Sequence, residues 1–169
     1  SEGYVCLTFF FRGHGSSSPI DDFQDLIDDK SLIASDLQAA LAYMNDHDKV
    51  VSNKLGLIGA SLGGIMALAG NGYESVKTSV SLSAPADGVF FIFPEMAISS
   101  AYYLCGELDI HPDRNADFPK DAKILYKNTL EPRKLTLVPG TSDHGTNLLT
   151  RDSLNINIKE WILETIPLQ

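Results

Sequence analysis

The chain has 169 residues, 44% of them hydrophobic and 21% charged, with a net charge of −9. That length fits one domain spanning 1–169, and the composition is that of a globular chain rather than a disordered one. The acidic balance argues against nucleic acid and anionic membrane surfaces as partners, since both carry the same sign.

No stretch reaches the roughly 18 apolar residues of a membrane helix, so no membrane span is expected. The two cysteines, Cys6 and Cys105, lie in apolar stretches without metal-ligand spacing. They read as buried free thiols, in keeping with a reducing, cytoplasmic setting, and no metal site is expected.

Taken in order, "YVCLTFFF" (4–11) is rich in β-branched and aromatic residues and reads as a buried strand ending at "RGHG". The polar stretch 16–30 reads as loop. Over 31–46, Leu37, Ala40, Leu41 and Met44 fall on one helical stripe. "KLGLIG" (54–59) is a short strand. "LGGIMALAG" (62–70) is a helix of small and apolar residues, with Gly70 or Gly72 as its left-handed stop. Strands follow at 76–84 and 100–109. Between them, 87–100 could form a small cap whose Phe90, Phe91 and Phe93 either line an acyl pocket or pack as core. A helix over 118–129 takes Asp117 as N-cap and Pro119 in its first turn. A strand at 134–140 and an amphipathic helix over 152–166, with Leu154, Ile158, Trp161 and Ile162 on one face, complete the chain. Strands alternating with helices predict an α/β fold with a doubly wound, mostly parallel sheet.

One knot stands out. "GLIGASLGG" runs a strand into a helix through Gly59-Ala60-Ser61-Leu62-Gly63. A sharp turn there would lift Ser61 clear of the sheet at the strands' carboxyl edge, where ligands bind such folds. Glycines at 59 and 63 would remove collisions between strand and helix. The Leu62 amide would open the helix facing developing negative charge.

A serine hydroxyl needs a base, and the base needs an orienting carboxylate. Of the four histidines, His144 lies past the last strand in "PGTSDHGTNLL", where a base would have to be. His47, in "NDHDK", reads as a partner for its helix terminus, and His111 as a neighbouring or surface residue. For the carboxylate, Asp109 directly follows a strand in "YYLCGELD", with Glu107 and Asp113 as alternatives and Asp143 disfavoured by its adjacency to the base.

With "FRGHGSS", "GLIGASLGG", "LCGELD" and "PGTSDHGTNLL" in that order, the chain resembles the α/β-hydrolase superfamily. The likeness is to its dienelactone-hydrolase-like and small serine esterase branches. The resemblance implies Ser61 as nucleophile, His144 as general base and acid, Asp109 as orienter, and the Leu62 N–H as half of an oxyanion hole. Arg12, Gly13 and Gly15 resemble the family's structural loop, with His14 either packing or standing behind the catalytic residues. Phe10 stands where the family commonly has Asp.

The family's first three strands have no counterpart here, and with them goes the usual second oxyanion donor. The strands expected at 4–11 and 54–59 should then pair directly, or receive a strand from another chain in a homo-oligomer. The implied function is a serine hydrolase of carboxylic esters, acting on a small-molecule ester without cofactor. A thioesterase or peptidase would use the same residues. The alternative from another class is a truncated, catalytically weak or inert domain acting as an interaction module. A dinucleotide-binding domain is disfavoured, because no G-x-G-x-x-G follows a strand.

Overall fold

A computed structural model of the chain describes residues 3–22, 25, 29–92 and 97–168. Its backbone contacts divide into two units, Ser1–Lys54 and Leu55–Gln169. No helix among the described residues is long and apolar enough to cross a membrane.

In the first unit, helix α1 (Lys30–Asp46) starts where Asp29 accepts from the Ser31 N–H and ends at His47, whose own N–H reaches the Met44 carbonyl. Ile33, Leu37 and Leu41 form its buried stripe, close to the periodicity read from the sequence. The expected strand at 4–11 does not form. Apolar, β-prone side chains make a strand only when a neighbouring backbone supplies the ladder. Here Val5, Leu7, Phe9 and Phe10 are exposed, and the pairing expected for 4–11 presupposed that strand. Cys6 is exposed for the same reason, against the expectation of burial, whereas Cys105 is buried.

The Arg12 loop is well tied. The Arg12 side chain donates to both Asp36 carboxylate oxygens, from Nε at 3.0 and 3.1 Å and from a terminal nitrogen at 2.6 Å. Its backbone N–H adds a further bond of 2.9 Å. Gly13 takes φ 77° and Gly15 φ 53°. A Cβ on Gly15 would sit 2.7 Å from the Phe10 ring, so the phenylalanine that replaces the family's aspartate packs on a position only glycine fills.

In the second unit, the strands β1 (Leu55–Ala60), β2 (Val76–Leu82), β3 (Ser99–Gly106) and β6 (Leu130–Val138) form, among the described residues, a fully parallel sheet in the order β1-β2-β3-β6. Between them run α2 (Leu62–Gly70), α3 (Ala86–Ile92) and α4 (Phe118–Lys127), and α5 (Asp152–Thr165) follows. The alternation of β3 sorts the core. Ala101, Tyr103 and Cys105 face Ile65, Leu68, Val89 and Leu125 from α2, α3 and α4. Tyr102 and Leu104 face Leu154, Ile158 and Trp161 from α5. Helices thus cover both faces, as strand–helix alternation predicted.

Three details depart from expectation. A two-stranded antiparallel ribbon, β4 (Ile110–His111) with β5 (Ala116–Asp117), follows β3. Helix α2 ends without a left-handed glycine: Asn71 closes it in right-handed geometry. The Asn71 side chain accepts from the Ser99 N–H at 2.8 Å and donates to Ser79 Oγ at 3.2 Å, pinning that end to the sheet. In the expected cap segment, α3 buries Val89 but exposes Phe90 and Phe91, so these two do not serve as core. Phe93 lies outside the described residues.

Candidate active site

Ser61 occupies the turn between β1 and α2 with φ 52° and ψ −115°, a region a non-glycine residue enters at about 1–3 kcal/mol. The surroundings hold it there. Its N–H donates to the Leu82 carbonyl at 2.9 Å, extending the ladder, and its carbonyl accepts from the Ile65 N–H at 3.1 Å, starting the helix. A Cβ on Gly59 would run into the Gly63 carbonyl, so Gly59 is sterically required. Gly63 is not: a Cβ there meets nothing within 4 Å. The close approach lies one residue on, at Gly64, whose Cβ would sit 2.9 Å from Ser81 Oγ and 3.1 Å from the Ala84 Cβ. Leu62 is the first residue of α2, so its N–H lacks an intrahelical acceptor and faces out along the helix dipole.

Asp109 and His144 are brought together from a sequence separation of 35 residues. Asp109 is fully buried, and the two loops that carry the pair are laced. The Glu107 N–H donates to the Val138 carbonyl and the Leu108 N–H to the Thr141 carbonyl, each at 2.9 Å. The Glu107 carboxylate accepts from the Gly140 N–H at 3.0 Å. Gly106 permits this approach, since a Cβ there would sit 2.7 Å from the Thr141 carbonyl oxygen. Glu107, an alternative orienter on sequence grounds, thus caps the histidine loop instead. Asp113 pairs loosely with Arg114 at 3.8 Å. Asp143 pairs with Arg151 at 2.8 Å, and that hydrogen bond, followed by one from Thr141, holds its carboxyl below the ordinary range.

His144 Nδ1 lies 2.9 Å from Asp109 Oδ2 and 3.2 Å from Oδ1. A carboxylate only accepts, so Nδ1 is the donor in this contact, the tautomer that offers the lone pair of a neutral ring at Nε2. Beyond His144, Gly145 takes φ 56°, and a Cβ there would come 3.3 Å from the Ala60 Cβ. That close pass brings the histidine loop against the residue preceding Ser61. Among the described residues, no hydrogen bond joins Ser61 Oγ to His144; such contacts are often long before substrate binds.

Three neighbours complete the surroundings, of which the sequence singled out only His111, as a neighbouring or surface residue. Ser83 ends β2 with φ 52°, and its Oγ accepts the Gly145 N–H at 3.1 Å, fixing the residue after His144. The strand expected to run on to residue 84 hid it. Phe118 packs its ring 4.5 Å from the His144 ring while its N–H donates to the Asp109 carbonyl at 3.2 Å. His111 places Nε2 3.0 Å from Asp109 Oδ1, a contact made by the unforeseen β4–β5 ribbon. Beneath the pair, burial and then the Asp109 charge push the Cys105 thiol up to about 12, so it stays protonated and donates weakly to Asp109 Oδ2 at 3.8 Å.

A family model described as "Alpha/beta hydrolase family" matches residues 1–153. No curated protein matches the chain. Among solved structures, the crystal structure of a dienelactone hydrolase from Anabaena variabilis ATCC 29413 matches with a TM-score of 0.62 at 20% identity. The match covers 82% of this chain and 62% of that one, and at that identity the likeness speaks for the fold.

Proposed function

The chain belongs to the alpha/beta hydrolase family, and from that premise we propose that it is a serine hydrolase of carboxylic esters working through an acyl-enzyme. The observation that carries this reading is the buried Asp109 holding His144 by Nδ1, on a loop that passes against the strained Ser61 turn.

The chemistry follows from that tautomer. His144 Nε2 takes the Ser61 proton as Oγ attacks the ester carbonyl, and the resulting imidazolium is stabilised by Asp109. The oxyanion faces the Leu62 N–H at the start of α2, an interaction typically worth roughly 10²–10³ in turnover. His144 then protonates the leaving alcohol and later activates water against the acyl-enzyme. The substrate is a small-molecule ester; a thioester or peptide would meet the same groups, and pocket shape decides among them.

The test is a fluorophosphonate probe together with a chain-length panel of p-nitrophenyl esters, a thioester and a peptide anilide. Labelling and turnover in the wild type, both lost in Ser61→Ala, are expected. A second reading, a weak or inert domain serving as an interaction module, draws on the missing Ser61–His144 hydrogen bond among the described residues. Folded wild-type protein that neither labels nor turns over any of the panel would establish it in place of the first.

A further inference from the structure

Asp109 carries two imidazoles, and a proton-relay site needs one. His144 Nδ1 and His111 Nε2 lie 3.2 and 3.0 Å from the same oxygen, Asp109 Oδ1. Among the described residues, one ligand atom from each of these three side chains lies within 4.8 Å of the other two. Two neutral imidazoles and a carboxylate converging on one point form a donor set that suits Zn²⁺ and Cu²⁺ rather than Mg²⁺ or Ca²⁺.

The distances suit it too. With metal–ligand bonds of about 2.0–2.1 Å, tetrahedral neighbours lie about 3.3 Å apart. Two edges of the triangle are already within a few tenths of that. The third closes by a swing of rings whose side chains are 41% and 30% exposed, for His111 and His144. Asp109, by contrast, is fixed and fully buried. The net charge of −9 draws cations toward the surface. Cys/His spacing in the sequence does not signal such a cluster, because the ribbon and the loop lacing assemble it.

We propose that Asp109, His111 and His144 form a binding site for a divalent transition-metal ion, Zn²⁺ foremost, whose occupation arrests the hydrolase. The arrest rests on the serine-hydrolase reading; the binding does not. Metal at Nδ1 replaces the hydrogen that His144 now directs to Asp109. The ring stays neutral, its one proton moving from Nδ1 to Nε2 through solvent, and His111 likewise shifts its proton from Nε2 to Nδ1. Nε2 then carries a hydrogen where it formerly offered a lone pair, so it cannot accept the proton of Ser61. No bond to substrate is involved, and a chelator restores the original tautomer.

The experiment titrates Zn²⁺ into chelator-treated full chain against a chromophoric zinc chelator. Co²⁺ is used in parallel for its visible absorption, and p-nitrophenyl acetate turnover is followed in the same samples. Expected are one Zn²⁺ per chain, affinity weakened roughly 10–100-fold in His111→Gln, undiminished binding in Ser61→Ala and His47→Gln, and turnover that falls with occupancy and returns on chelation. His111→Asn, with far-UV circular dichroism on both variants, separates a lost ligand from a lost fold. Absence of binding, or equal affinity in folded His111 variants, would overturn the site. Full occupancy with undiminished turnover would overturn the arrest. Zn²⁺ held through His111 by a chain without Ser61-dependent turnover would leave the site standing and sink the esterase reading instead.

Discussion

Asp36 and Asp109 are both carboxylates that gather donors from distant sequence, yet they do opposite work. Asp36 faces the fixed positive charge of Arg12, which meets it through side chain and backbone. Burial alone would raise the Asp36 carboxyl, but the Arg12 hydrogen bonds outweigh it and hold it below the ordinary range. Asp109 is more deeply buried and faces two imidazoles. The guanidinium partner makes a clamp, because neither member changes charge in use. In the proposed mechanism the imidazole partner makes a relay, because a proton can arrive at the far nitrogen while the near one stays held.

The sharpest way to break that contrast is at the relay. Ser61→Ala should abolish ester turnover by roughly 10⁴–10⁶, and Asp109→Asn should lower it by roughly 10⁴ with the fold retained, since the wrong His144 tautomer is then favoured. Steady-state kinetics on p-nitrophenyl esters measure both. Equal turnover in Asp109→Asn and wild type would put Asp109 in the clamp class with Asp36.

Next in size is the Ser61 turn, which offers the contrast between required and incidental residues in miniature. Gly59→Ala drives a methyl into backbone and should destabilise by about 3 kcal/mol, read as a lower midpoint in chemical denaturation. Asp36→Asn should lose about 1–3 kcal/mol of stability while leaving turnover of the folded enzyme unchanged.

The pH dependence sharpens the clamp. The folded Asp36 value is depressed, so its contribution is fully present above the ordinary Asp value of about 3.9 and is lost as pH falls through the lowered folded value. The stability gap between wild type and Asp36→Asn should therefore be constant near neutrality and close only on strong acidification. A gap that closed near pH 6 would point to a histidine instead. Smallest of all, Gly63→Ala should be neutral or stabilise by up to about 1 kcal/mol, because the site is open and helical.

What the sequence made legible were the local signals. The elements read at 54–59, 62–70, 76–84, 118–129 and 152–166 lie within a few residues of those observed, and Ser61 sits where β1 ends. What it hid depended on partners. Residues 4–11 look like β3 in composition, but β3 has β2 and β6 to pair with and 4–11 forms no strand. Gly59 and Gly63 are indistinguishable in the sequence, and only the backbone path shows that one would collide and the other would not. His111 was read only as a neighbouring or surface residue, and its contact with Asp109 was hidden because a two-residue ribbon turns it back on that carboxylate.

Trp161, the chain's single tryptophan, is buried on α5, with its ring nitrogen donating to Thr78 at 2.8 Å and Tyr102 alongside at 5.8 Å. Its intrinsic fluorescence therefore speaks for the docking of the last helix onto the sheet of residues 55–169. An optical melt followed at that one indole would register harm done at Gly59 and could pass over the loss of the Arg12–Asp36 clamp, so the two must be watched at different wavelengths.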